Sequence, residues 1–373
     1  MREGRRSWVI VGIVGLALCA VSDLADAQKL KLSAVGTGAR SRGMGKAFLA
    51  VSDDATGISW NPAGLVALER PEMSIVALGS FYKNDIKVST GQGRSASKSY
   101  GYLDFASLVY PKAVNGRNYV FGVAFQRQSD LAWRGESVVG GRTNVADIKG
   151  GVYAISPAFA AQVHPKFWIG MSLNVQRSVI DLNITQNGVD AGSAKATTDW
   201  GKARTLNLGA MIDADKSRIG FVLRPRLGGD ESLPLTVGGG ISVRPNDALT
   251  IAGDVEFAKW KDFDTAYGGG LGNTVDVRIG FEYVKKTAFG GVPIRAGFFA
   301  AQAPQRQATG PNSFGSVPTA KNLTVGIGAA MKKASINLAY ELSLDKSTDV
   351  TTFTLESDAK FHRLVVSTVI YLK

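Results

Sequence analysis

The stretch that decides the fold is Gly36–Leu68, GTGARSRGMGKAFLAVSDDATGISWNPAGLVAL. It is rich in glycine and polar residues, it contains two short helix-like pieces, and the NPAG sequence that begins at Asn61 is typical of a turn. From about Glu72 onward the chain becomes a long succession of strands in which apolar and polar residues alternate. We therefore predict that this stretch is a plug and that the rest of the chain is a wall folded around it.

About fourteen candidate strands follow between Glu72 and Leu372, each near the roughly ten residues that a tilted membrane strand needs. Short turns alternate with longer polar links, among them the predicted links over residues 83–98, 129–149 and 186–201. Short turns at one end and long loops at the other are typical of outer-membrane barrels, which close with an even number of antiparallel strands. The predicted fold is all-β, a transmembrane antiparallel β-barrel of about 14 strands with an N-terminal plug, or hatch, inside the lumen.

Aromatic residues tend to lie near the ends of the candidate strands. Such residues form girdles at the two lipid–water boundaries of a membrane barrel, where the ring stays in lipid and its polar edge stays wet. Packing in a core is the alternative for any one of them. Tyr110, Trp168, Trp260 and Tyr283 belong to this set.

The opening stretch also carries a family resemblance, on three short runs. They resemble the start of the outer-membrane fatty-acid transporters of the FadL/TodX type, and the run Ala39–Gly45 also resembles the PorV-like branch of that superfamily. A second similarity lies downstream, in residues 233–240 and 254–260, which resemble the family's paired late strands. The resemblance implies that the plug sits in the lumen as a hatch, with its Asn-Pro turn near a hydrophobic binding pocket. The three runs are Gly43, Met44 and Gly45; Asp53 and Asp54; and Asn61, Pro62, Ala63 and Gly64.

The first 27 residues have the features of a secretory signal peptide. Arginines precede an apolar run over Trp8–Val21, and small residues at Ala25–Ala27 fit a signal-peptidase site. The run is shorter than the roughly 20 residues of a spanning helix. The alternative is a lipobox ending at Cys19, which would tether the protein through an acylated cysteine. We predict a signal peptide at 1–27, a plug at 28–71 and a barrel at 72–373, placed in the outer membrane after cleavage near Ala27.

The composition excludes a helical membrane protein but permits a barrel. Hydrophobic residues make up 45% of the chain, which also contains 44 glycines, and its mean hydropathy is +0.03. A membrane strand alternates apolar and polar residues, so its average hydropathy is neutral. The net charge of +12 is scattered instead of clustered, so we predict no nucleic-acid partner. We expect attraction to outer-membrane lipid, through lipid A phosphates, or to acidic substrates; a basic surface without a role is the alternative.

The residues needed for catalysis or metal binding are missing. The only histidines are His164 and His362, and no HExxH or GxSxG sequence occurs. Arg40 stands where a phosphate-binding loop ending at Lys46 would need its first glycine. We therefore predict no enzyme, no metal and no cofactor.

Alternation within the late strands places charged residues in the lumen. It turns Asp254 and Glu256 inward, and it turns Arg278 inward on the strand that follows. If the two strands are adjacent, these groups form pairs, each stabilising by about 0–1 kcal/mol when exposed. A lumen filled by mutually neutralised charges is the alternative to a binding role.

Three further residues are candidates for handling a ligand. Arg224 and Arg226 share a predicted lumenal face, where they would hold a carboxylate head group by charge-assisted hydrogen bonds. Solvated arginines near a loop are the alternative. Pro157 stands in mid-strand and cannot donate a ladder hydrogen bond, so it marks either a wall defect or an ordinary bulge.

The resemblance implies two functions. The first is uptake of hydrophobic or amphiphilic small molecules, such as long-chain fatty acids, through a plugged barrel whose plug shifts and whose wall releases the ligand sideways. The alternative is a PorV-like barrel that binds exported proteins or a secretion machine. The predicted plug argues against a non-selective porin.

Overall fold

The structure is a computed structural model of the 373-residue chain. It describes residues 36–88, 94–131, 133–139, 141–225, 227, 234–263, 270–288, 290–304, 308–310, 313–344, 347–350 and 354–373. The predicted signal peptide, the lipobox alternative and Arg226 lie outside these residues. Within them, no helix combines the length and the apolar composition needed to cross a membrane.

Fourteen antiparallel strands form one closed barrel, in which each strand pairs with its neighbours in sequence and the first pairs with the last. The predicted fold class is therefore confirmed for the wall. The strands β3, β6 and β13 are each interrupted once. The bounds are β1 Glu72–Val88, β2 Arg94–Val114, β3 Arg117–Asp130 with Trp133–Val139, β4 Arg142–His164, β5 Phe167–Gln186, β6 Val189–Thr197 with Ala203–Ala214, β7 Ser217–Arg224, β8 Thr236–Asn246, β9 Leu249–Ala258, β10 Thr274–Thr287, β11 Gly290–Gln302, β12 Thr319–Ala330, β13 Ala334–Ser343 with Ser347–Val350, and β14 Thr354–Tyr371.

Short helices and one small hairpin accompany the wall. Helix α1 and two 3-10 helices precede β1, a third 3-10 helix lies between β9 and β10, and the hairpin lies between β11 and β12. The helices are α1 Ala39–Gly43 and the 3-10 helices Ala55–Ile58, Pro62–Ala67 and Trp260–Phe263; the hairpin is Ala308–Gly310 with Ser313–Phe314.

The two faces of the wall differ as the period of two predicts. In β10 the outward-facing residues Val277 and Ile279 are exposed, whereas the inward-facing Arg278 and Glu282 are buried. Tyr110 and Tyr283 also face outward near the short turns, at 58% and 51% exposure. An outward apolar band around a polar interior is the arrangement of a membrane barrel.

The girdle prediction is wrong for two of the aromatic residues. Trp168 and Trp260 are buried, at 5% and 6% exposure. Trp168 lies in the inward phase of β5, where the Arg218 guanidinium stacks over its ring, and Trp260 packs against Leu271. Nearness to a strand end does not decide which face a ring occupies; the period of two does.

The long links predicted over residues 83–98, 129–149 and 186–201 are wrong in extent. Most of these residues continue the strands as paired hairpins; for example, Val139 pairs with Arg142 and Gln186 pairs with Val189. Where both faces of a hairpin are wet, the apolar alternation disappears although the backbone ladder continues, so periodicity alone ends the strands too early. All these extensions lie at the end opposite to the short turns.

Candidate functional site

Residues 36–68, which we name the inner segment, lie inside the barrel. The largest fully buried side chains of the protein include Phe48, Leu49, Trp60 and Leu65 of this segment. Its polar groups bond to inward-facing groups of the wall, as described below. Two apolar clusters hold it, one around Phe48 and Trp60 and one in which Ile58 and Leu65 pack against inward residues of the wall.

Glycines of the wall let the backbone of the inner segment approach closely. A Cβ at any of four inward-facing glycines would come within 3.0 Å of a backbone atom of that segment. Real Cβ atoms do not approach so closely, so these positions admit only glycine without a shift of the backbone. The four are Gly170 on β5, Gly220 on β7, Gly280 on β10 and Gly297 on β11, which meet Pro62-Ala63, Leu49, Met44 and Met44-Gly45, respectively.

The run Gly43-Met44-Gly45 lies against β12. Gly43 and Gly326 face each other, with a Cβ on either residue 3.1–3.2 Å from the other's Cα. The Thr324 hydroxyl donates to the Gly43 carbonyl at 3.1 Å and accepts from the Gly45 amide at 2.9 Å. Gly45 adopts a φ of +60°, which favours glycine. The run therefore turns the chain in a space that side chains would fill.

The Asn61 side chain fixes the position of the turn that the sequence NPAG forms. Its Oδ1 accepts from the Ala63 amide at 3.1 Å and so caps the 3-10 helix that Pro62 begins. Its Nδ2 donates to the carbonyl of Leu49 at 2.8 Å and to that of Ala210 on β6 at 3.2 Å. Gly64 is needed because a Cβ there would overlap Ser52. One side chain thus fixes the turn, the inner segment and the wall to one another.

Arg40 joins the start and the middle of the inner segment to the wall. Its guanidinium contacts Asp53, lies 3.7 Å from Asp54 and binds Glu282 of β10 at 2.8 Å. Arg295 of β11 also binds Glu282, at 2.6 Å. The group lies towards the short-turn end of the barrel.

The two acidic residues of this group differ in their titration. Burial disfavours the ionised form of Asp53, but the charges of Arg40, Arg218 and Arg244 outweigh it and lower its pKa to about 2. Burial raises the pKa of Asp54, which caps the first 3-10 helix through the Thr56 amide. Asp53 is therefore an anion held by several arginines, and Asp54 is a structural cap.

The predicted lumenal charges lie together beside Trp60. Arg278 pairs with Asp254 in the register of the two strands, and it binds Glu256 at 3.2 Å. Asp254 accepts from the amides of Phe48 and Leu49 at 2.6 and 2.9 Å. These strands thus hold the inner segment by its backbone, which is a positioning role for Asp254.

Arg224 is already bound to protein groups. Its guanidinium lies 2.5 Å from Glu256 and donates to the Trp60 carbonyl at 2.9 Å. The head-group role predicted for Arg224 stays a prediction, and it would require these contacts to exchange for a ligand. The same role for Arg226 falls outside the described residues.

Lys46 begins a second basic group, towards the long-hairpin end. It lies 3.6 Å from Glu341 and its ammonium sits 4.0 Å from the centre of the Phe299 ring. Burial, with smaller contributions from the charges of Arg42, Arg363 and Arg278, outweighs the attraction of Glu341 and lowers the pKa of Lys46 to about 7. Atom NH1 of Arg278, also buried, makes no hydrogen bond within the described residues.

A cavity of about 350 Å³ lies at the short-turn end, between the inner segment and the inward faces of β1 and of β10 to β14. Small polar side chains line its wall, including those of Ser74, Ser335, Asn337 and Ser367, while Gly38 and Arg40 line the opposite side. The Ser74 hydroxyl makes no hydrogen bond within the described part of the chain. The described residues also contain no cluster of three acidic, cysteine or histidine side chains that could bind a metal.

The wall is split between β2 and β3. Their backbone pairing stops at Phe105 and Gln126, and beyond this point β2 pairs with β1 alone and β3 with β4 alone among the described residues. Side chains bridge the split: the hydroxyls of Tyr100 and Tyr102 both donate to Asp130 at 3.1 Å.

Arg127 completes the bridge across the split. Its guanidinium carbon lies 3.6 Å from the centre of the Tyr102 ring, and the same guanidinium donates to Asp130 at 2.7 Å. A closure made of side chains opens by rotamer changes, without the loss of a backbone ladder.

Pro157 does not displace the strands around it. The pairing of β4 with β5 runs from Ile155–Val175 to Ala158–Ser172 in one register, so only the pairs of residues 156 and 157 are missing. Its role as a wall defect stays a prediction, whereas the longer interruption lies between β2 and β3.

Sequence reasoning missed several residues that hold the inner segment. Glycines in the inward phase of strands, such as Gly280 between Arg278 and Glu282, were the available signal, because glycine weakens a strand unless another backbone needs the space. The wall partners of Arg40 and Lys46, Glu282 and Glu341, had no such signal, since they lie more than 200 residues away along the chain.

Known proteins resemble the chain in structure, whereas no protein-family model and no curated protein matches its sequence. The Pseudomonas putida toluene transporter TodX aligns with a TM-score of 0.68 and 16% identity, over 92% of this chain and 99% of that one. A Pseudomonas aeruginosa FadL homologue aligns at 0.66 and 13%, over 91% and 100%. The Ralstonia pickettii toluene transporter TbuX aligns at 0.65 and 16%, over 92% and 100%. The chain therefore has the FadL/TodX type of barrel fold that its sequence resemblance predicts.

Proposed function

We propose that this protein is an outer-membrane transporter of hydrophobic small molecules and that the inner segment is its plug. The observation that carries the proposal is a lumen filled by the chain's own buried segment, in a barrel with the fold of toluene transporters. A filled lumen suits selective passage better than free diffusion of solutes. In this proposal residues 1–27 direct export, residues 28–71 form the plug and residues 72–373 form the barrel.

We infer that the transported molecules include amphiphiles with a carboxylate, such as long-chain fatty acids. Lys46 and Arg278 support this inference, because both are buried and Arg278 has an NH1 group without a partner among the described residues. A carboxylate placed between them would form charge-assisted hydrogen bonds. Arg224 is the weaker candidate, since Glu256 and the Trp60 carbonyl already bind it.

The split between β2 and β3 is the proposed exit for the acyl chain. In this proposal it leads from the interior to the outward apolar face, and the side chains of Tyr100, Tyr102, Arg127 and Asp130 bridge it. A hydrophobic molecule that leaves here enters lipid without crossing water, which avoids the cost of hydrating its apolar surface.

A reversible cross-link tests this exit. Tyr102→Cys and Asp130→Cys are joined by a bifunctional methanethiosulfonate reagent in a background without Cys19, and uptake of a labelled long-chain fatty acid into proteoliposomes is measured. We expect uptake to fall to the level of empty vesicles and to return when a reductant opens the link. The control joins Val255→Cys to Val277→Cys, a pair in the continuous ladder of β9 and β10, and leaves uptake unchanged. Equal uptake by the linked and reduced forms of the first pair contradicts the exit.

The second candidate function is that of a PorV-like barrel which binds exported proteins. The hairpins of β3–β4 and β5–β6 favour it, because they extend the wall beyond the apolar band and offer a surface for a partner. Co-purification of an exported protein from the native membrane, without any retained acyl amphiphile, supports this function. If deletion of the hairpin tip at residues 186–189 abolishes this co-purification, that tip is the surface that binds the exported protein.

A further inference from the structure

The basic residues of the protein are unevenly placed between the two ends of the barrel. Five of the six short turns carry an exposed lysine in or beside the turn: Lys112, Lys166, Lys216, Lys285 and Lys332. Acidic residues at this end are few, and within the described residues only Lys166 of the five pairs with one, at 3.9 Å from Asp215 where both side chains are exposed. At the opposite end acidic and basic residues are mixed. The excess positive charge therefore lies towards the short-turn end of the barrel.

These lysines form a ring and not a patch. They stand on the turns β2–β3, β4–β5, β6–β7, β10–β11 and β12–β13, and only the β8–β9 turn lacks one. A single protein that docks on one part of this end would contact only some of these lysines. Because the lysines follow the whole circumference of the barrel, only the surrounding bilayer contacts all of them.

The depth of the lysines fits phospholipid headgroups. Lys112 and Lys285 stand on the outward face of β2 and β10, two residues beyond the exposed Tyr110 and Tyr283. Two residues of a strand span roughly 7 Å, which takes the chain from the aromatic boundary of the apolar band into the zone of lipid phosphates. A lysine there keeps its aliphatic stem along the apolar surface and its ammonium beside the phosphates.

We propose that this ring, the turn lysines, binds anionic phospholipid headgroups of the leaflet on the short-turn side, the periplasmic leaflet. The proposal rests on the proposed placement in the outer membrane and goes beyond transport. It differs from the expectation that lipid A is the lipid partner, because lipid A belongs to the leaflet at the long-hairpin end. The turn lysines fix how deeply the short-turn end sits and gather anionic lipid around it.

The test compares bound lipid on two matched variants of the full chain. Native mass spectrometry follows protein in a mild detergent with equal amounts of phosphatidylglycerol and phosphatidylethanolamine. One variant changes the five turn lysines to Gln. The control makes the same change at five exposed lysines of the other end, Lys149, Lys195, Lys202, Lys259 and Lys261.

We expect the wild type and the control to retain phosphatidylglycerol over phosphatidylethanolamine, and the turn variant to lose this preference. Each lysine that contacts a headgroup is expected to contribute about fivefold to it. The preference should also fall at high salt, since these charges are exposed. Equal loss in both variants, or no preference in the wild type, overturns the proposal.

Reconstitution separates this proposal from membrane placement itself. The turn variant is inserted into vesicles of phosphatidylcholine and floated on a density gradient. We expect it to insert as the wild type does, because the apolar band is unchanged. If the wild type floats but shows no lipid preference, the lipid-binding role of the turn lysines is overturned and the placement in the membrane stands. If the wild type does not float, both are overturned.

Discussion

The inner segment meets the wall in two different ways on its two sides. On strands β5 to β12 its backbone presses against wall glycines such as Gly280 and Gly297, and the Thr324 hydroxyl bonds it from β12. On strands β13, β14 and β1 a polar cavity of about 350 Å³ separates it from residues such as Ser74 and Ser367. Close packing fixes one side. On the other side the cavity separates the inner segment from the wall at the short-turn end, and contacts such as those of Arg42 and Lys46 with Glu341 of β13 hold it deeper in the barrel.

This difference teaches which side can move. Displacing a segment from a close-packed contact loses many dispersion contacts together, whereas groups around a cavity have fewer to lose. The fixed side also carries the hydrogen bond from Asn61 to the Ala210 carbonyl of the wall and the hydrogen bond from the Phe48 amide to Asp254 of the wall. We therefore expect any passage beside the inner segment to open along β13, β14 and β1, with the glycine side as its hinge.

Filling the glycine side is expected to have the largest effect. Gly280→Ala together with Gly297→Ala places a Cβ where the backbone of Met44 and Gly45 lies. Ordinary overpacking costs about 1–3 kcal/mol per site, and these sites are expected at or above the upper figure because the obstruction is backbone. The segment should leave its position, seen as a steady conductance in a planar bilayer and as protease cleavage within residues 36–71.

The matched control uses glycines of the same wall that have room. A Cβ at Gly239 or Gly253 meets its nearest atoms only at 3.7 Å, an ordinary contact. Gly239→Ala and Gly253→Ala should keep the pore closed and the segment resistant to protease. If they conduct as strongly as the pair at 280 and 297, the contact with the inner segment is not the cause.

Removing Arg40 is expected to have the next largest effect. Arg40→Met leaves Asp53 and Glu282 with fewer cations in a buried site, and breaking a buried pair costs roughly 3–5 kcal/mol. Urea unfolding in detergent micelles should show the loss, with protease cleavage of the inner segment at lower urea. The control Lys166→Met removes a pair in which both side chains are exposed, and it should change the midpoint little.

Equal hydroxyl deletions on the two sides sharpen the comparison. Thr324→Val removes two hydrogen bonds to the inner segment, one to the Gly43 carbonyl and one from the Gly45 amide, and each is worth about 0.5–1.5 kcal/mol. Ser74→Ala removes a hydroxyl that has no hydrogen-bond partner among the described residues, so the stability of this variant should be unchanged or slightly higher. The free energy of unfolding, from urea titrations, measures both. Similar losses for the two variants would remove the asymmetry between the sides.

The wall was predictable because its rule is local. A strand that meets an apolar medium on one face must alternate, so residues such as Val277 and Arg278 reveal their faces without knowledge of any partner. The rule fails where both faces are wet, and the hairpin extensions beyond the band were therefore predicted as loops. It also fails for Trp168, whose position near a strand end said nothing about its face.

The site was predictable as a set of unusual residues but not as a set of contacts. The sequence NPAG indicated a turn, and the structure adds that Asn61 bonds to Leu49 and to Ala210 on β6. Such a bond depends on the depth at which the segment sits, and no local pattern encodes that depth. The split between β2 and β3 was hidden for the same reason, because each strand alone has an ordinary sequence.

A pH-dependent effect is expected from Lys46, which follows the glycine contact at Gly45 and lies beside Glu341 of β13. Its pKa in the folded protein is about 7, below the roughly 10.4 of an unfolded lysine, because burial disfavours its charge. Below pH 7 both states carry the proton, and between pH 7 and 10 only the unfolded chain does. Stability therefore rises with pH in that window, by at most about 1.4 kcal/mol per unit. Urea midpoints at pH 6, 7.5 and 9 should rise for the wild type and for Lys166→Met, but less steeply for Lys46→Met; parallel slopes for all three would place the titration elsewhere.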